Sequence, residues 1–317
     1  MKKRIISVLL ATVFALSVIG CGTKDTKEQD AYRQYGITCM ESGKYEDAVK
    51  AFQNALGESI GHIGEKELDI CFYKAKAQAL DGKTKDALAT YDAIIKYNKD
   101  ARAYYLRGDL YMDMGEEKKG KADFESAVQH GKKNYEIYIG IYESLSRHEK
   151  KDEGQKYLSV AMEIKGDKPE DELYKGRISY LLGENKDAIS YLEKAKEHKQ
   201  MLASYYLGLA YDANGDSDKA KKCIAEYIKS GVATSYDLYE LGMQEMQDGN
   251  YKNALTYFNS GLELEKVPNK QNLMKSAIAA YEYSGDFDSA KKMMKEYLKA
   301  YPDDEEAKHE NTFLETR

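Results

Sequence analysis

The chain has 317 residues, with 54 acidic and 48 basic side chains, a formal net charge of −6 and 42% hydrophobic residues. An acidic balance argues against nucleic acid as a partner, because binding there depends on neutralising phosphates with Lys and Arg. Four scattered cysteines exclude a disulfide framework and form no CxxC motif for a metal or redox centre.

The first twenty residues have the layout of a secretory signal. Three basic residues at positions 2–4 precede the apolar run 5–19, which is too short for a comfortable membrane span. The residues at 18–21 resemble the bacterial lipobox, which is cleaved before a cysteine that becomes lipidated. This resemblance implies a lipoprotein signal peptide at 1–20, palmitate on Cys21 and a lipid anchor on the extracytoplasmic side of a cell membrane. An ordinary signal peptide with a nearby cysteine is the alternative.

Residues 21–29 are predicted to be the lipidated cysteine and a short polar tether. At about 3.3 Å per residue the tether reaches some 25–30 Å, so the domain predicted at 30–317 would lie close to the bilayer. Removing the signal leaves 45 basic and 54 acidic side chains. Attraction to anionic lipid is therefore not expected, and membrane contact would come from the lipid on Cys21.

A four-residue pattern recurs eight times along the rest of the chain. It consists of a glycine, a small residue five positions later, an aromatic or aliphatic residue and a second small residue. The first instance is Gly43, Ala48, Phe52 and Ala55. The later glycine-equivalent positions are Gly82, Gly115, Arg147, Gly183, Gly215, Gly249 and Gly285. A period near 34 residues predicts units that stack on one another, because none can bury its apolar face alone.

Each unit is predicted to be a helical hairpin, as residues 169–195 illustrate. Pro169 suits a first helical turn, and Gly183 ends that helix as a glycine C-cap does. A second helix begins near Asn185. The small residue Gly176 in the middle of the first helix has a packing reason, because two helices approach to about 8–10 Å only where side chains are small.

The small mid-helix residue, the turn glycine seven residues later and the small residue beyond it together resemble the tetratricopeptide repeat family. The mid-helix residues are Gly36, Ala75, Gly108, Gly140, Gly176, Gly208 and Gly242. The resemblance covers about residues 29–302 and implies an all-α, right-handed α-solenoid of about eight hairpins. A C-terminal capping helix is expected after Pro302, with Ala307, Phe313 and Leu314 covering the last hairpin.

Three departures from the family pattern are visible. The chain has no tryptophan, which is frequent in the family. The fourth unit carries Arg147 in place of the turn glycine and needs two extra residues before Gly154. The eighth unit has Ile278 where a small residue is expected. These departures weaken the register of two units and leave the predicted fold unchanged.

Motifs for catalysis are absent from the sequence. The five histidines are scattered and form no HExxH or other paired spacing, and no GxSxG or P-loop occurs. We therefore expect no enzyme activity, no metal and no cofactor. Cys39 and Cys71 lie on neighbouring first helices, so they are either bridged or, as is commoner, buried and free.

The family resemblance implies that the first helices line a concave groove. By the repeat register, ten residues are expected to face it and bind a partner: Phe72, Tyr105, Ile137, Ile141, Leu173, Arg177, Tyr205, Leu209, Tyr239 and Met243. Charged residues at equivalent positions include Arg33, Lys76, Asp109 and Lys275. An exposed apolar, tyrosine-rich strip marks a partner site. A register error of one residue would instead place half of the ten in the core between helices.

These observations favour an adaptor that binds a protein or peptide segment. The architecture resembles that of tetratricopeptide lipoproteins in envelope assembly or pilus biogenesis. The family's lysine and asparagine clamp for a terminal carboxylate does not carry over, because the first unit offers Arg33 but then Ile37. The alternative is a cell-surface glycan-binding lipoprotein, since 28 tyrosines could stack on sugars.

Overall fold

The computed structural model describes residues 24–59, 63–166 and 168–317, and it is entirely helical there, with seventeen helices and no strand. The predicted signal peptide and Cys21 lie outside the described residues. Within the described ranges, no helix combines the length and apolar character that a membrane span requires.

The chain divides into two compact units, the first ending at Val232 and the second spanning Ala233–Arg317. Twelve helices belong to the first unit. They are α1 Lys24–Glu41, α2 Tyr45–Gly57, α3 Glu65–Leu80, α4 Thr84–Asn98, α5 Ala101–Asp113, α6 Glu117–His130, α7 Tyr135–Arg147, α8 Lys151–Met162, α9 Pro169–Leu182, α10 Asn185–Glu197, α11 Ala203–Ala213 and α12 Ser217–Lys229.

Five helices form the second unit. They are α13 Ser235–Gln247, α14 Tyr251–Leu262, α15 Lys270–Tyr283, α16 Phe287–Ala300 and α17 Glu305–Glu315. In both units each odd-numbered helix packs against the even-numbered helix that follows it, and α17 packs on α16. The predicted all-α class, the eight hairpins and the additional C-terminal helix are therefore confirmed.

The helices of a hairpin meet where a small residue in the first faces a large residue in the second. A Cβ atom added at Gly108 would lie 2.9 Å from the Phe124 ring and 3.0 Å from the carbonyl oxygen of Gly120. Both helices are therefore in direct contact at this point. The same contact, sixteen residues apart in sequence, joins Gly36 to Phe52, Gly176 to Leu192, Gly208 to Ile224 and Gly242 to Phe258.

The turns inside the hairpins follow the sequence pattern. All seven predicted turn glycines have positive φ, from 69° at Gly43 to 83° at Gly215. In the fourth hairpin the residue with positive φ is Glu149, at 62°. Helix α7 runs to Arg147, two residues further than the pattern of the other hairpins. The two extra residues therefore lengthen the first helix and move its turn from Arg147 to Glu149.

The eighth hairpin accommodates Ile278 without a small residue. Ile278 is 4% exposed and lies in one core cluster with Met294, which is 3% exposed and sits at the position that phenylalanine holds elsewhere. An unbranched, flexible methionine can fit around a larger neighbour, whereas a rigid ring cannot.

Both ends of the described chain depart from the sequence expectation. Helix α1 begins at Lys24, within the segment that is predicted to be a tether. Gln29 of this segment is buried, and its side-chain amide donates 2.9 Å hydrogen bonds to Ser59 and Glu67. At the other end Ala307 and Leu314 are buried as expected. Phe313 is 45% exposed and stacks with the Arg317 guanidinium, so its predicted covering role is wrong.

Replacing Gly108 by alanine should destabilise the protein, because the new methyl group would meet a buried ring and a backbone carbonyl. Overpacking costs about 1–3 kcal/mol, which exceeds the roughly 1 kcal/mol that alanine contributes to helix propensity. The matched control is Gly57→Ala at the end of α2, where nothing lies within 4 Å of the added atom. Urea unfolding followed by circular dichroism should show a lower midpoint for Gly108→Ala and no loss for Gly57→Ala. Equal midpoints would contradict the close-contact interpretation.

Candidate partner-binding surface

Four of the ten residues predicted to line a groove are buried. Phe72, Ile137, Ile141 and Leu173 are 6%, 3%, 0% and 8% exposed, and each belongs to a hydrophobic core cluster. The prediction that these four side chains offer surface to a partner is corrected: they stabilise the packing of successive hairpins.

The other six remain partly exposed. In the first unit Tyr105, Arg177, Tyr205 and Leu209 have intermediate exposure, and in the second unit so do Tyr239 and Met243. The three tyrosines rest against a ring of their own second helix: Tyr105 on Phe124, Tyr205 on Tyr227 and Tyr239 on Phe258, with ring centroids 5.2–6.3 Å apart. Because all six side chains keep some exposure, they remain the predicted partner contacts.

Helix α7 interrupts this partly exposed surface. Nine of its thirteen residues are buried, including Ile139 and Leu145 as well as the two isoleucines named above. Tyr105 reaches across from α5, and a Cβ atom at Gly140 would lie 2.5 Å from its Cζ atom. Gly140 therefore makes room for the tyrosine of the preceding hairpin. From the other side Tyr174 of α9 stacks on Tyr135 at 5.1 Å.

Three charged residues at the predicted groove positions, Arg33, Asp109 and Arg177, pair with an opposite charge on a neighbouring first helix. Arg33 of α1 binds Asp69 of α3 at 2.6 Å, and Arg177 of α9 binds Glu143 of α7 at 3.0 Å. Arg147 reaches back from α7 to Asp109 of α5 at 2.5 Å. These partners are 34–38 residues apart, about one repeat period. Opposite charges at that spacing are the sequence signal by which the pairs could have been found.

Arg147 now has a structural explanation at a position where the pattern expects glycine. Its guanidinium ties α7 to α5, whereas the left-handed turn is made by Glu149. Burial raises the pKa of Asp109, and the adjacent Arg147 guanidinium opposes that effect. Burial likewise raises the pKa of Glu143, opposed by Arg177. The pairs thus compensate acids that have lost water.

Lys76 is the exception among these charges. It occupies the same register position on α3 as Asp109 on α5, and it is partly buried. Burial lowers the pKa of its ammonium group, and no carboxylate within the described ranges forms an ion pair with it. Lysine is seldom withdrawn from water without a partner, so Lys76 is a cation that the described residues leave uncompensated.

The described residues offer no cluster for a metal ion and no activated thiol. No group of three or more His, Cys, Asp or Glu side chains within them could hold a metal ion. Cys39, Cys71 and Cys223 are free thiols, which answers the question of a bridge between the first two. Burial raises the pKa of Cys71 and of Cys223, so neither thiol is activated for attack.

In the second unit, acidic residues of α17 and of its N-cap contact α15. Asp304 caps α17 and accepts hydrogen bonds from Lys275 at 2.8 Å and from Tyr297 at 2.5 Å. These bonds, led by that from Lys275, hold the pKa of Asp304 well below its usual value. Glu282 differs, because burial and the neighbouring Glu310 carboxylate raise its pKa.

Replacing Glu310 by glutamine should stabilise the second unit at neutral pH. The pKa of Glu282 is higher in the folded state than in the unfolded state, so folding binds a proton. Stability therefore falls as pH rises from the unfolded pKa through the folded pKa. Removing the Glu310 charge relieves the repulsion. Urea midpoints at neutral pH should therefore rise for Glu310→Gln, and the gain should disappear below the unfolded pKa of about 4.5.

Glu315→Gln is the control for this experiment, since it makes the same charge change on the exposed end of α17. It should change the free energy of unfolding by about a few tenths of a kcal/mol at most, at either pH. A gain from Glu310→Gln that does not depend on pH would show that the two carboxylates are not coupled.

Comparisons with known proteins agree with the hairpin architecture. Three family models, each described as a tetratricopeptide repeat, match residues 36–95, residues 101–129, and residues 202–230 together with 271–304. These matches fall in both compact units. No curated protein matches the chain.

Similar solved structures include a tetratricopeptide repeat protein from Parabacteroides merdae, with 12% identity over 80% of this chain and 99% of its own, and a TM-score of 0.47. PilW, described as a widely conserved type IV pilus biogenesis factor, has 18% identity, covers 66% of this chain and 97% of its own, and has a TM-score of 0.44. The C-terminal part of a tetratricopeptide repeat-containing protein from Cytophaga hutchinsonii has 14% identity over 77% of this chain and 98% of its own, and a TM-score of 0.38.

Proposed function

We propose that the chain is a non-catalytic adaptor, because tetratricopeptide repeat models match parts of both compact units and such repeats typically bind protein partners. In this proposal a lipid on Cys21 holds it at the extracytoplasmic face of a membrane. A protein or peptide segment binds the first-helix face, which consists of Lys76 and the partly exposed residues Tyr105, Arg177, Tyr205 and Leu209 of the first unit. In the second unit, Tyr239 and Met243 hold the corresponding register positions.

The observation that carries the proposal is the uncompensated charge of Lys76. Arg33, Arg147 and Arg177 each have a carboxylate from the neighbouring hairpin, whereas Lys76 has lost water without gaining one. An acidic group of the partner placed over Lys76 would supply the missing charge. Leu209, which follows the small mid-helix residue of α11 as Lys76 does in α3, supplies apolar contact in the first unit. Met243 offers adaptable apolar contact at the corresponding position of the second unit.

The glycan alternative has less support from the arrangement of the rings. A sugar stacks on a free aromatic face, but several tyrosines near the first-helix face already pack against another ring. Tyr135 stacks on Tyr174, and Tyr205 makes an edge contact with Tyr206 at 5.1 Å. A protein segment, which uses the edges of such rings and the intervening aliphatic groups, suits this surface better.

Site-specific photo-crosslinking tests the proposed face directly. A benzoylphenylalanine residue at position 209 would lie on the first-helix face, and one at Lys194 would lie on an exposed position of the second helix α10. In cells, we expect a discrete crosslinked product from position 209 and none from position 194. Equal crosslinking from both positions would contradict a binding site on the first helices.

Lys76→Met should separate stability from partner binding. Methionine keeps a similar length and flexibility but removes the desolvated charge, so the free protein should melt at a higher temperature. The same variant should weaken recovery of the product crosslinked at position 209, since the partner loses its counter-charge. A stabilised protein with undiminished crosslinking would refute the role given to Lys76.

The matched control is Lys85→Met, which makes the same change at an exposed position of α4. It should alter neither the melting temperature nor the crosslinked product, because the ammonium group of Lys85 remains hydrated.

The proposed anchor is tested by Cys21→Ala. Without the thiol, no lipid can be attached, so the protein should leave the membrane fraction or accumulate as an unprocessed precursor. Fractionation and immunoblotting would detect either result. Unchanged processing and membrane association would exclude the lipid anchor while leaving the repeat architecture unaffected.

A further inference from the structure

An open cavity of about 880 Å³ lies in the first compact unit, and none of the residues that define the first-helix face lines it. Three segments surround it: residues 100–102 at the start of α5, residues 129–130 at the end of α6, and the turn 131–134 that leads into α7. The cavity therefore lies where one hairpin passes to the next, at the ends of helices.

The lining is basic although the chain as a whole is acidic. Arg102, Lys132 and Lys133 all have exposed side chains on its rim, and His130 adds an imidazole ring. The one carboxylate in the lining belongs to Asp100. It is already engaged as the N-cap of α5, where it accepts from the amides of Arg102 at 2.8 Å and Ala103 at 3.2 Å.

Several of these groups are fixed in position by packing. The Arg102 guanidinium lies over the Phe72 ring at 3.6 Å, and the His130 ring stacks on Tyr104 at 5.4 Å with 4° between the planes. The Tyr138 hydroxyl donates to the carbonyl oxygen of Lys132 at 3.1 Å. The cavity is thus partly preorganised, which lowers the entropy cost of binding.

The turn also presents free backbone donors. Gly131 packs directly on the start of α5, since a Cβ atom there would lie 2.9 Å from that of Ala101. The amide groups of Lys132 and Lys133, which follow it, donate to no group in the described part of the chain. Consecutive unpaired amides beside cationic side chains form an anion-binding concavity.

We propose that this cavity binds a phosphate group. The site offers one guanidinium, two ammonium groups and two backbone amides as hydrogen-bond donors. These are more donors than the two oxygens of one carboxylate can accept. A phosphate group has more oxygens than a carboxylate and at least as much negative charge. Arg102 supplies the planar fork that matches two of those oxygens, and the lysines supply point charges. The site shares no residue with the first-helix face.

Isothermal titration calorimetry of the purified full-length protein with inorganic tripolyphosphate tests the proposal. At about 150 mM salt, where weak surface attraction is screened, we expect binding of one anion per chain. Lys132→Ala combined with Lys133→Ala should weaken it about tenfold or more. Arg102→Lys, which keeps the charge but loses the fork, should also weaken it.

The matched control combines Lys221→Ala with Lys222→Ala, two exposed lysines of α12 in the same compact unit. It makes the same change in net charge and should leave the affinity within about twofold. Citrate, a carboxylate anion of comparable charge, should bind about tenfold more weakly than tripolyphosphate. Melting curves by circular dichroism establish that each variant is folded.

Soluble phosphates and phospholipid headgroups share this chemistry. Co-sedimentation of the Cys21→Ala chain with phosphatidylcholine vesicles, with and without phosphatidylglycerol, separates the two sources. Sedimentation that needs phosphatidylglycerol and is lost in the Lys132 and Lys133 variant identifies a headgroup. Calorimetric binding without sedimentation identifies a soluble ligand.

Four results would overturn the proposal. They are an absence of tripolyphosphate binding at that salt concentration, unchanged affinity after both cavity lysines are removed, equal loss in the α12 control, and citrate that binds as tightly as tripolyphosphate. The last two would show attraction to net charge alone.

Discussion

The contact between a small residue in one helix and a large residue sixteen positions later is the constraint on which the other features depend. When Gly108 receives the Phe124 ring, the two helices of the hairpin are brought together in a single register. Other residues near the glycine on the first helix are then directed to the neighbouring hairpin. Tyr105, three residues before Gly108, reaches Gly140 for this reason, and Asp109, one residue after it, meets Arg147. A change at the glycine would therefore disturb contacts between hairpins as well as within one.

Ion pairs form a second set of contacts, which join successive first helices. Each consists of an arginine and a carboxylate about one period apart, and each involves groups with restricted access to water. Breaking such a pair leaves an uncompensated charge, so the pairs specify which helices are neighbours more than they add to stability. Lys76 is informative against this background, because it is a partly buried cation of a first helix for which no carboxylate of the described residues forms an ion pair.

The fold could be predicted from the sequence because its determinants are local. The turn at Gly43 requires a backbone conformation that glycine adopts readily, and Gly36 and Phe52 recur at a fixed spacing in later hairpins. The surface was harder to predict, because burial there depends on residues one hairpin away. Ile137 and Ile141 have the periodicity of an exposed face, yet they pack in one core cluster with side chains of the preceding hairpin.

Phe72 shows the same difficulty, since the guanidinium that covers it comes from α5. Periodicity identifies a face of a helix but not the distance to its neighbours. The fourth hairpin was harder still. Nothing in its composition indicates that Glu149 would take the left-handed conformation, which follows from the length of α7.

The burial of α7 on nearly all sides has a consequence for the motion of the first unit. In a linear array each hairpin gains stability only from its neighbours, so opening begins at the ends and at weakly packed helices. Helix α7 is held by Tyr105 and Arg147 toward α5 and by Tyr174 and Arg177 toward α9. Its amide hydrogens can exchange with solvent only after those contacts have opened on both sides. The middle of α7 should therefore be the last part of this unit to take up deuterium, and a partner on the first-helix face would bind to segments on either side of a rigid centre.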